Sequence, residues 1–334
     1  MEQLVLVART GDQEAFAELV EPLRHELQVH CYRMLGSVED AEDAVQETLL
    51  RAWTRIDSYA GRASFRAWAY GIATHACLDA LRRRKARSWP TAVAPPADPL
   101  DYQFGGPDLP WLQPYPDRLL DAAEGQGEPE SVAVARETIE LAFLTAIQQL
   151  PARQRAVLIL RDTLDWSVRD TADALEMTLA AVNSALQRAH AGLAEHLPPD
   201  RGDWRVRSSA EERQVLSRLI SAWEDRDPSA LVKLLRDDAQ LVMPPETTWF
   251  QGKSDVGRFL TQRFEIEREF GWRGVPVAAN RQPAFALYRG RSDSAAPYAA
   301  FGIVVVQITP SGVRELSLFR TAELFGLFEL PPTL

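Results

Sequence analysis

The sequence predicts a multidomain chain in which two all-α domains precede a C-terminal α+β domain. Apolar residues recur at helical spacing over residues 1–88 and 132–197, and a Pro-rich acidic linker at 89–131 joins these two helical parts. After a short linker at 198–210, residues 211–334 combine amphipathic helices with strand-like apolar runs. A chain of 334 residues is long enough for two or three domains.

The first helical domain contains breaks and one unusual stretch. Gly36-Ser37 interrupts the helical pattern, and Ser37 can cap a helix that begins at Val38. After a second break at 57–64, the sequence FRAWAYGIATHACLDALRRR places aromatic rings ahead of a basic cluster. The residues concerned are Phe65, Trp68 and Tyr70, then Arg82, Arg83, Arg84, Lys85 and Arg87. Rings beside cations suit single-stranded or partly melted nucleic acid.

The bulk composition limits the possible functions. The net charge of −10 argues against a general nucleic-acid coat, so any DNA contact must come from local basic patches. Cys31 and Cys77 lie in apolar helical contexts and predict two buried structural thiols. We predict no metal site and no cofactor. No apolar run has the length of a transmembrane helix and the N-terminus does not resemble a signal peptide, so we expect a cytoplasmic protein without membrane contact.

The segment between the helical domains has two interpretations. Most of residues 89–131 reads as a tether rich in Pro, Gly and acidic residues. The stretch LPWLQPYPDRLLD at 109–121 is too apolar for an inert tether. It is expected either to pack back on a neighbouring domain or to bind a partner.

The second helical domain contains a short helix pair. Helices are expected at 154–160, 167–175 and 178–193, and the last two are separated only by Glu176-Met177. This pattern is typical of a helix-turn-helix, although short pairs also occur in structural bundles. Asn, Gln and Arg side chains can contact base edges in the major groove, and the second helix carries Asn183, Ser184, Gln187 and Arg188. If the turn requires a positive φ, Glu176 is strained there.

The C-terminal third has a different character. Helices are expected at 211–223, 230–235 and 253–268, with a strand at 239–243. Further strands are expected at 284–288, 298–308 and 313–319, which together predict a curled antiparallel sheet.

Two motifs and the tail resemble a known combination. DAEDAVQETLLRAW at 40–53, with the aromatic and basic stretch after it, resembles region 2 of extracytoplasmic function sigma factors of RNA polymerase. Residues 150–193 resemble region 4 of the same group. The tail resembles SnoaL-like, nuclear transport factor 2-like domains, whose cone-shaped α+β fold encloses a pocket. The resemblance implies a sigma factor that binds core polymerase and directs promoter-specific initiation.

The resemblance also implies roles for individual residues. The region 2 helix would bind the clamp helices of the polymerase β′ subunit through Asp40, Asp43, Gln46 and Glu47, and the β subunit is a further expected partner. The −10 element would meet Trp68, Thr74, His75, Asp79, Arg82 and Arg83. Relatives usually have Asn where this chain has His75, so its −10 preference is expected to be its own. The −35 element would meet Arg169, Asn183, Ser184, Gln187 and Arg188, with phosphate contacts from Arg169 and from Arg153 or Arg155.

The tail allows three interpretations of the whole chain. No paired acid and base stands out in it, so no catalytic residue is predicted. A pocket could be lined by Trp223, Met243, Trp249, Phe259, Tyr288 and Phe301, although core packing explains them equally well. We expect the tail to contact the sigma core and modulate its activity in cis. The alternatives are a stand-alone helix-turn-helix regulator or a small-molecule enzyme carried by the tail. The promoter, the inducing signal, any tail ligand and the oligomeric state do not follow from the sequence.

Overall fold

The computed structural model describes residues 2–61, 63–83, 87–105, 109–121, 138–197 and 209–334. The chain divides into two compact units, and each contains two separate stretches of sequence. Unit 1 comprises Met1–Arg87 and Arg118–Pro198, and unit 2 comprises Ser88–Asp117 and Pro199–Leu334. The two predicted helical domains therefore lie in one unit, and a large part of the predicted linker belongs to the other.

The first half of unit 1 is a bundle of helices with well-defined ends. Its helices are α1 (Glu2–Ala8), α2 (Gln13–Val20), α3 (Arg24–Leu35), α4 (Val38–Thr54) and α5 (Phe65–Arg83). Gly36 ends α3 in the left-handed conformation with φ of 69°. Ser37 then caps α4, because its Oγ accepts a hydrogen bond from the Asp40 amide at 3.3 Å. The predicted break and cap at these two residues are both present.

The second half of unit 1 contains the predicted helix pair. Its helices are α6 (Leu141–Gln148), α7 (Ala152–Leu158), α8 (Val168–Leu175) and α9 (Leu179–His196). The start of the helical pattern expected from residue 132 lies outside the described residues, at 132–137; residues 138–140 form a turn, and α6 begins at Leu141. The chain continues from α7 into a π-helical turn, Ile159–Thr163, where the Leu164 amide donates to the Ile159 carbonyl at 3.1 Å. Between α8 and α9, Glu176 has φ of 52°, so the predicted strain is present.

Unit 2 is built on one six-stranded sheet. The strands are β1 (Leu235–Val242), β2 (Trp249–Gln251), β3 (Phe270–Ala279), β4 (Gln282–Arg291), β5 (Ala299–Thr309) and β6 (Gly312–Phe319), in the spatial order β2-β1-β6-β5-β4-β3. The helices α10 (Ser209–Glu224), α11 (Pro228–Leu234) and α12 (Lys253–Ile266) accompany the sheet, with α10 packed on β3 and β4 and α12 on β1 and β2. Between this helical layer and the sheet lies a core that includes Phe250, Phe285, Leu287, Val304 and Leu316.

The sheet differs from the predicted one in two respects. The sheet is mixed, because β1 pairs with β6 in parallel while all other pairs are antiparallel. Parallel pairing is possible here because one helix (α12) and four strands (β2 to β5) separate β1 from β6 along the chain. In addition, β2 and β3 were not assigned from the sequence. The Pro276 and glycines of β3 weaken its strand pattern, but it lies at the sheet edge, where proline is tolerated.

Residues 88–105 and 109–117, which we call the strap, lie along unit 2. Near its start, the Ala97 amide donates to the Trp249 carbonyl and the Trp249 indole donates to the Ala94 carbonyl, both at 2.8 Å. The Thr248 hydroxyl donates to the Gln103 carbonyl at 2.7 Å. At its end, the Tyr115 amide donates to the Asn280 side-chain oxygen at 2.8 Å. Of the two interpretations of residues 109–121, these contacts are those of a segment that packs on a neighbouring domain.

Apolar side chains explain why the strap packs. Trp89, Leu112 and Tyr115 are at most 3% exposed, and the Trp89 ring packs on Phe319 of β6. The end of the strap is held by the tight turn between β3 and β4. Its two residues, Asn280 and Arg281, have φ of 57° and 58°, which is the conformation of a type I′ hairpin. The predicted tether is therefore, over these residues, part of a folded unit.

Candidate nucleic-acid interface

The exposed face of α4 is the candidate polymerase surface. Asp43 and Gln46 are exposed, and Leu50, one turn further along, is 58% exposed. The other two predicted residues are engaged within unit 1. Asp40 forms an ion pair with Arg87, and Glu47 accepts from Arg51 Nε at 2.6 Å. Leu50 was missed from the sequence because it reads as one more apolar helix position, whereas the structure leaves it in solvent.

The −10 surface predicted on α5 is built on an aromatic cluster. The half-buried Trp68 ring lies 5.3 Å from the Tyr59 ring and 5.5 Å from the Phe65 ring, between centroids. Further along α5, Asp79 accepts from Arg51 at 2.9 Å and from Arg82 at 2.8 Å. Arg83 is exposed beside this network. Arg84 and Lys85 of the predicted basic cluster lie outside the described residues.

Thr74 does not reach this surface. Its side chain is fully buried, and its hydroxyl donates to the Tyr70 carbonyl at 2.8 Å. His30 Nε2 lies 2.9 Å from the hydroxyl oxygen of Thr74. The predicted contact between Thr74 and DNA is therefore not available in this structure. The physical reason is that position 74 faces α3, while position 75 on the same helix faces α8.

His75 contacts the second half of unit 1. Its Nε2 atom lies 3.0 Å from the carbonyl oxygen of Ala174 in α8. Gly71, one turn earlier, also lies against α8, where a Cβ added to it would be in ordinary van der Waals contact with the Cβ of Ala174, at 3.6 Å. The Tyr70 ring also contacts the Trp166 ring, with 6.0 Å between centroids. The region 4 part thus packs directly on the helix predicted to read the −10 element.

A groove of about 820 Å³ lies beside this contact. One wall carries the aromatic and basic residues of α5 and of the segment before it, including Tyr59, Trp68 and His75. The opposite wall carries three exposed carboxylates, Asp170, Asp173 and Glu176. Carboxylates repel the phosphates of a nucleic acid. In this arrangement the groove is therefore poorly suited to receive DNA.

A buried arginine holds the two halves of unit 1 together. Arg155 of α7 is 1% exposed and donates to the Met34 carbonyl at the end of α3 at 2.5 Å. It also donates to the Gln148 side-chain oxygen at 2.6 Å. Burial lowers the pKa of Arg155 to about 10, with the opposing influence of Cys77 smaller. Arg155 therefore does not contact phosphate here, and of the two alternatives only Arg153 is exposed.

The reading helix α9 presents its predicted residues to solvent. Val182, Ala185 and Ala189 are buried, and the opposite face is exposed. That face carries Asn183, Ser184, Gln187 and Arg188, and Arg188 donates to the Ser184 hydroxyl at 2.6 Å. Arg169 at the start of α8 is also exposed. These side chains can contact base edges and phosphates without rearrangement of their own helix.

Unit 2 encloses a small cavity that some of the predicted residues line. Trp223, Met243, Phe259 and Phe301 surround a space of about 30 Å³. Trp249 and Tyr288 do not, because side chains alternate along a strand and theirs point to the other face. The Tyr288 hydroxyl donates to the Pro331 carbonyl at 2.9 Å, and the Trp249 indole bonds the strap. The sequence missed Phe104, Arg263, Glu267 and Arg320, which also line the cavity.

Other kinds of site were sought in the same residues. Across the described ranges, no three His, Cys, Asp or Glu side chains lie close enough together to hold a metal ion. Cys31 and Cys77 are free thiols and are buried, as predicted. Within the part of the chain that the structure describes, no helix is both long and apolar enough to cross a membrane.

Comparison with protein families identifies three matching regions. Residues 19–87 match Sigma-70 region 2, residues 140–191 match Sigma-70, region 4, and residues 216–312 match the SnoaL-like domain. These matches confirm the predicted fold class of two helical parts followed by an α+β domain.

Individual relatives match this chain over nearly its whole length or over its first part. The ECF RNA polymerase sigma factor SigG of Mycobacterium tuberculosis (strain CDC 1551 / Oshkosh) is 39% identical over 327 residues, covering 98% of this chain and 86% of the relative. SigW of Bacillus subtilis (strain 168), also an ECF RNA polymerase sigma factor, is 30% identical over 57% of this chain and 92% of its own length. The solved structure of the Mycobacterium tuberculosis extracytoplasmic function sigma factor SigJ has a TM-score of 0.58 at 21% identity, covering 92% of this chain and 98% of that one. At this level of sequence identity, the similarity to SigJ shows a shared fold alone.

Proposed function

This chain belongs to the extracytoplasmic function sigma factors of RNA polymerase, and on that premise we propose which of its surfaces make each contact during initiation. As a sigma factor it binds core RNA polymerase and promoter DNA and directs promoter-specific initiation. The relatives are described as sigma factors. The SnoaL-like fold is also found in some enzymes, so the fold of the tail does not by itself assign catalysis.

The polymerase surface is the exposed face of α4. Asp43 and Gln46 supply an acidic and an amide group, and Leu50 supplies an apolar contact between them and the end of the helix. Such a face suits the basic clamp helices of the β′ subunit, with charge setting orientation more than affinity. Asp40 and Glu47 support this face through their ion pairs with Arg87 and Arg51. The β subunit is the further polymerase contact.

The −10 surface is the outer face of α5. Trp68 offers a ring on which an unstacked base of the melted promoter can stack, which contributes about 1–3 kcal/mol per base. His75 offers a planar hydrogen-bonding group, and Arg82 and Arg83 meet the adjacent phosphates. Asp79 holds Arg82 in place.

The −35 surface is the exposed face of α9. Asn183, Gln187 and Arg188 can each make base-edge contacts in the major groove, and a good bidentate pair contributes about 1–3 kcal/mol of discrimination. Ser184 supports Arg188 through their hydrogen bond. Arg169 and Arg153 contact phosphates and set the register of the helix on the duplex.

The structure represents a closed resting state under this proposal. The observation that supports it is the 3.0 Å contact between His75 Nε2 and the Ala174 carbonyl, which occupies the −10 reader with region 4. Both promoter elements can be read only after α8 leaves α5. Polymerase and promoter therefore favour the open state because they bind it more tightly than the closed one.

The tail modulates this transition in cis through the strap. Region 2 ends at residue 87 and region 4 begins at residue 140, so the strap is part of the covalent path between them. In unit 2 this path is fixed by Trp249 and Thr248 near one end and by Asn280 at the other. Docking the strap shortens the free linker between the two promoter readers. The tail in this way controls how far the readers can separate.

The closed state can be tested by a substitution at a residue that is not proposed to contact DNA. Ala174→Leu places a larger side chain against Gly71 and should separate α8 from α5. We expect more holoenzyme at limiting core polymerase and more run-off transcript than for the unchanged chain. Ala194→Leu, on the exposed end of α9, is the matched control. Equal holoenzyme formation by both variants would contradict a closed resting state.

The promoter contacts need a separate experiment. Arg188→Ala should reduce run-off transcription from a cognate promoter by about tenfold or more, whereas Glu195→Ala on the same helix should not. A stand-alone regulator would instead bind duplex DNA without polymerase, usually as a dimer. The role of the tail is tested by deleting residues 205–334 and measuring polymerase pull-down and transcription. Unchanged binding and unchanged output would refute modulation by the tail.

A further inference from the structure

The cavity in unit 2 has a wall of hydrogen-bond donors that nothing satisfies. Trp223 and Trp272 are 5% and 3% exposed, and both line the cavity. Within the described residues, neither indole nitrogen has a hydrogen-bond acceptor, whereas the buried Nη1 atom of Arg320 has an ion-pair contact with Glu246 at 3.5 Å but no hydrogen bond. Buried polar groups without partners are rare in proteins. Two such indoles beside an arginine around one cavity indicate that its occupant should supply acceptor oxygens.

The present occupant of the cavity mouth is a side chain of the strap. The half-buried Phe104 ring lies between two guanidinium groups, 5.2 Å from that of Arg263 and 4.8 Å from that of Arg320, measured to the ring centroid. The Tyr102 ring packs against its edge at 5.2 Å. This arrangement selects for an aromatic ring. A benzyl group, however, has no acceptor for the two indole nitrogens.

The charges around the cavity favour an anion. Three arginines surround its aromatic wall, because Arg289 also lies over Phe301 at 4.9 Å and over Trp272 at 5.9 Å. Among the described residues, the carboxylates paired with these arginines are those of Glu267 and Glu246. Glu267 pairs with Arg289 at 3.2 Å and also with Arg263, while Glu246 lies 3.5 Å from Arg320 and accepts the amide hydrogen of Gly105. Three guanidinium groups and two carboxylates leave one positive charge that an anionic ligand can neutralise.

We propose that the cavity of unit 2 is a binding site for a small aromatic anion, a planar ring that carries a carboxylate or sulfonate, and that Phe104 is the internal occupant it displaces. The ligand ring takes the place of the Phe104 ring between Arg263 and Arg320. Its acid oxygens accept hydrogen bonds from Arg320 and from the Trp223 and Trp272 indoles. Entry of the ligand also releases the part of the strap around Phe104. The site stands independently of the polymerase and promoter contacts.

The test uses the full chain and two probes with the same aromatic skeleton. Anilinonaphthalene sulfonate carries the acid group, and phenylnaphthylamine lacks it. Removing an internal competitor raises the apparent affinity of a ligand by the reciprocal of the fraction of time that the site is free. Phe104→Ala is therefore expected to bind the sulfonate probe about tenfold more tightly than the unchanged chain. Val93→Ala, at an exposed position of the same strap, should leave binding unchanged.

A second comparison, between Phe104→Ala with and without Arg320→Gln, tests whether the site recognises the charge of the ligand. Adding Arg320→Gln to Phe104→Ala should remove most of the gain for the sulfonate probe and leave phenylnaphthylamine binding as it was. If Phe104→Ala unfolds, as judged by circular dichroism, Phe104→Leu gives the same readout with an apolar side chain retained. Equal gains for both probes would overturn recognition of an anion. No gain for either probe in a folded Phe104 variant would overturn the site itself.

Discussion

The stability of unit 1 should depend on pH through His30. This histidine is fully buried between α3 and α5, with Nε2 2.9 Å from the Thr74 hydroxyl and its ring 5.1 Å from that of Tyr70. Burial, reinforced by the charges of Arg33 and Arg66, lowers the pKa of His30 from 6.5 to about 3. The native state therefore keeps His30 neutral, while the unfolded chain protonates it below pH 6.5.

The magnitude follows from this difference in pKa. Between pH 6.5 and pH 3 the unfolded state binds more protons, so the free energy of unfolding falls by about 1.4 kcal/mol for each pH unit. Lowering the pH from 6.5 to 5 should cost about 2 kcal/mol from this one residue. The stabilisation is fully present above pH 6.5 and is lost progressively as the pH falls towards 3.

The assay compares urea denaturation of the unchanged chain and of His30→Gln at pH 7 and pH 5, followed by circular dichroism. The glutamine amide can still bond the Thr74 hydroxyl, but it does not titrate. The difference between the two proteins should therefore shrink by about 2 kcal/mol at pH 5. His196→Gln, at an exposed position of α9, is the control and should follow the unchanged chain. Parallel pH dependence of the unchanged chain and His30→Gln would refute the reasoning.

Three further substitutions test other parts of the structure by urea denaturation. Arg155→Met should lower the free energy of unfolding by about 3–5 kcal/mol because it leaves the Met34 and Gln148 oxygens unpaired, whereas Arg153→Met should have little effect. Glu176→Gly should raise it by about 1 kcal/mol by relieving the positive φ, and Glu176→Ala should not. Gly302→Ala should lower it by about 1–3 kcal/mol, since the new Cβ would lie 2.5 Å from the Phe319 carbonyl, while Gly326→Ala has open space and should be neutral. If a variant and its control have the same free energy of unfolding, the contact on which that prediction rests is contradicted.

Features that depend on local chemistry could be predicted from the sequence. The Ser37 cap needs only a hydroxyl at the residue before a helix, and the exposed face of α9 follows from the spacing of Val182, Ala185 and Ala189. The expectation that Glu176 is strained if its turn requires a positive φ also depends only on local chemistry, and its φ is 52°. In each case the deciding atoms lie within a few residues along the chain.

Features that depend on tertiary neighbours could not be predicted. Thr74 and His75 are adjacent on α5, yet one is buried against α3 and the other contacts α8. Arg153 and Arg155 read alike in the sequence, but only Arg155 inserts into the core. The cavity arginines were missed because a lone Arg263 or Arg320 has no local pattern. The strap was missed because proline and glycine are typical of tethers, and its anchoring residues lie far away in the sequence.

The strap also fixes the order in which the protein can be completed during synthesis. Ala94 leaves the ribosome long before Trp249, which holds it and lies 155 residues later. At about 5–20 residues per second, roughly 8–30 seconds separate the two. Throughout that interval regions 2 and 4 are joined by an unanchored segment, and region 4 emerges before the anchor exists. On the proposed role of the tail, a nascent chain therefore passes through a period in which regions 2 and 4 have been synthesised but the anchor through which the tail acts on them has not.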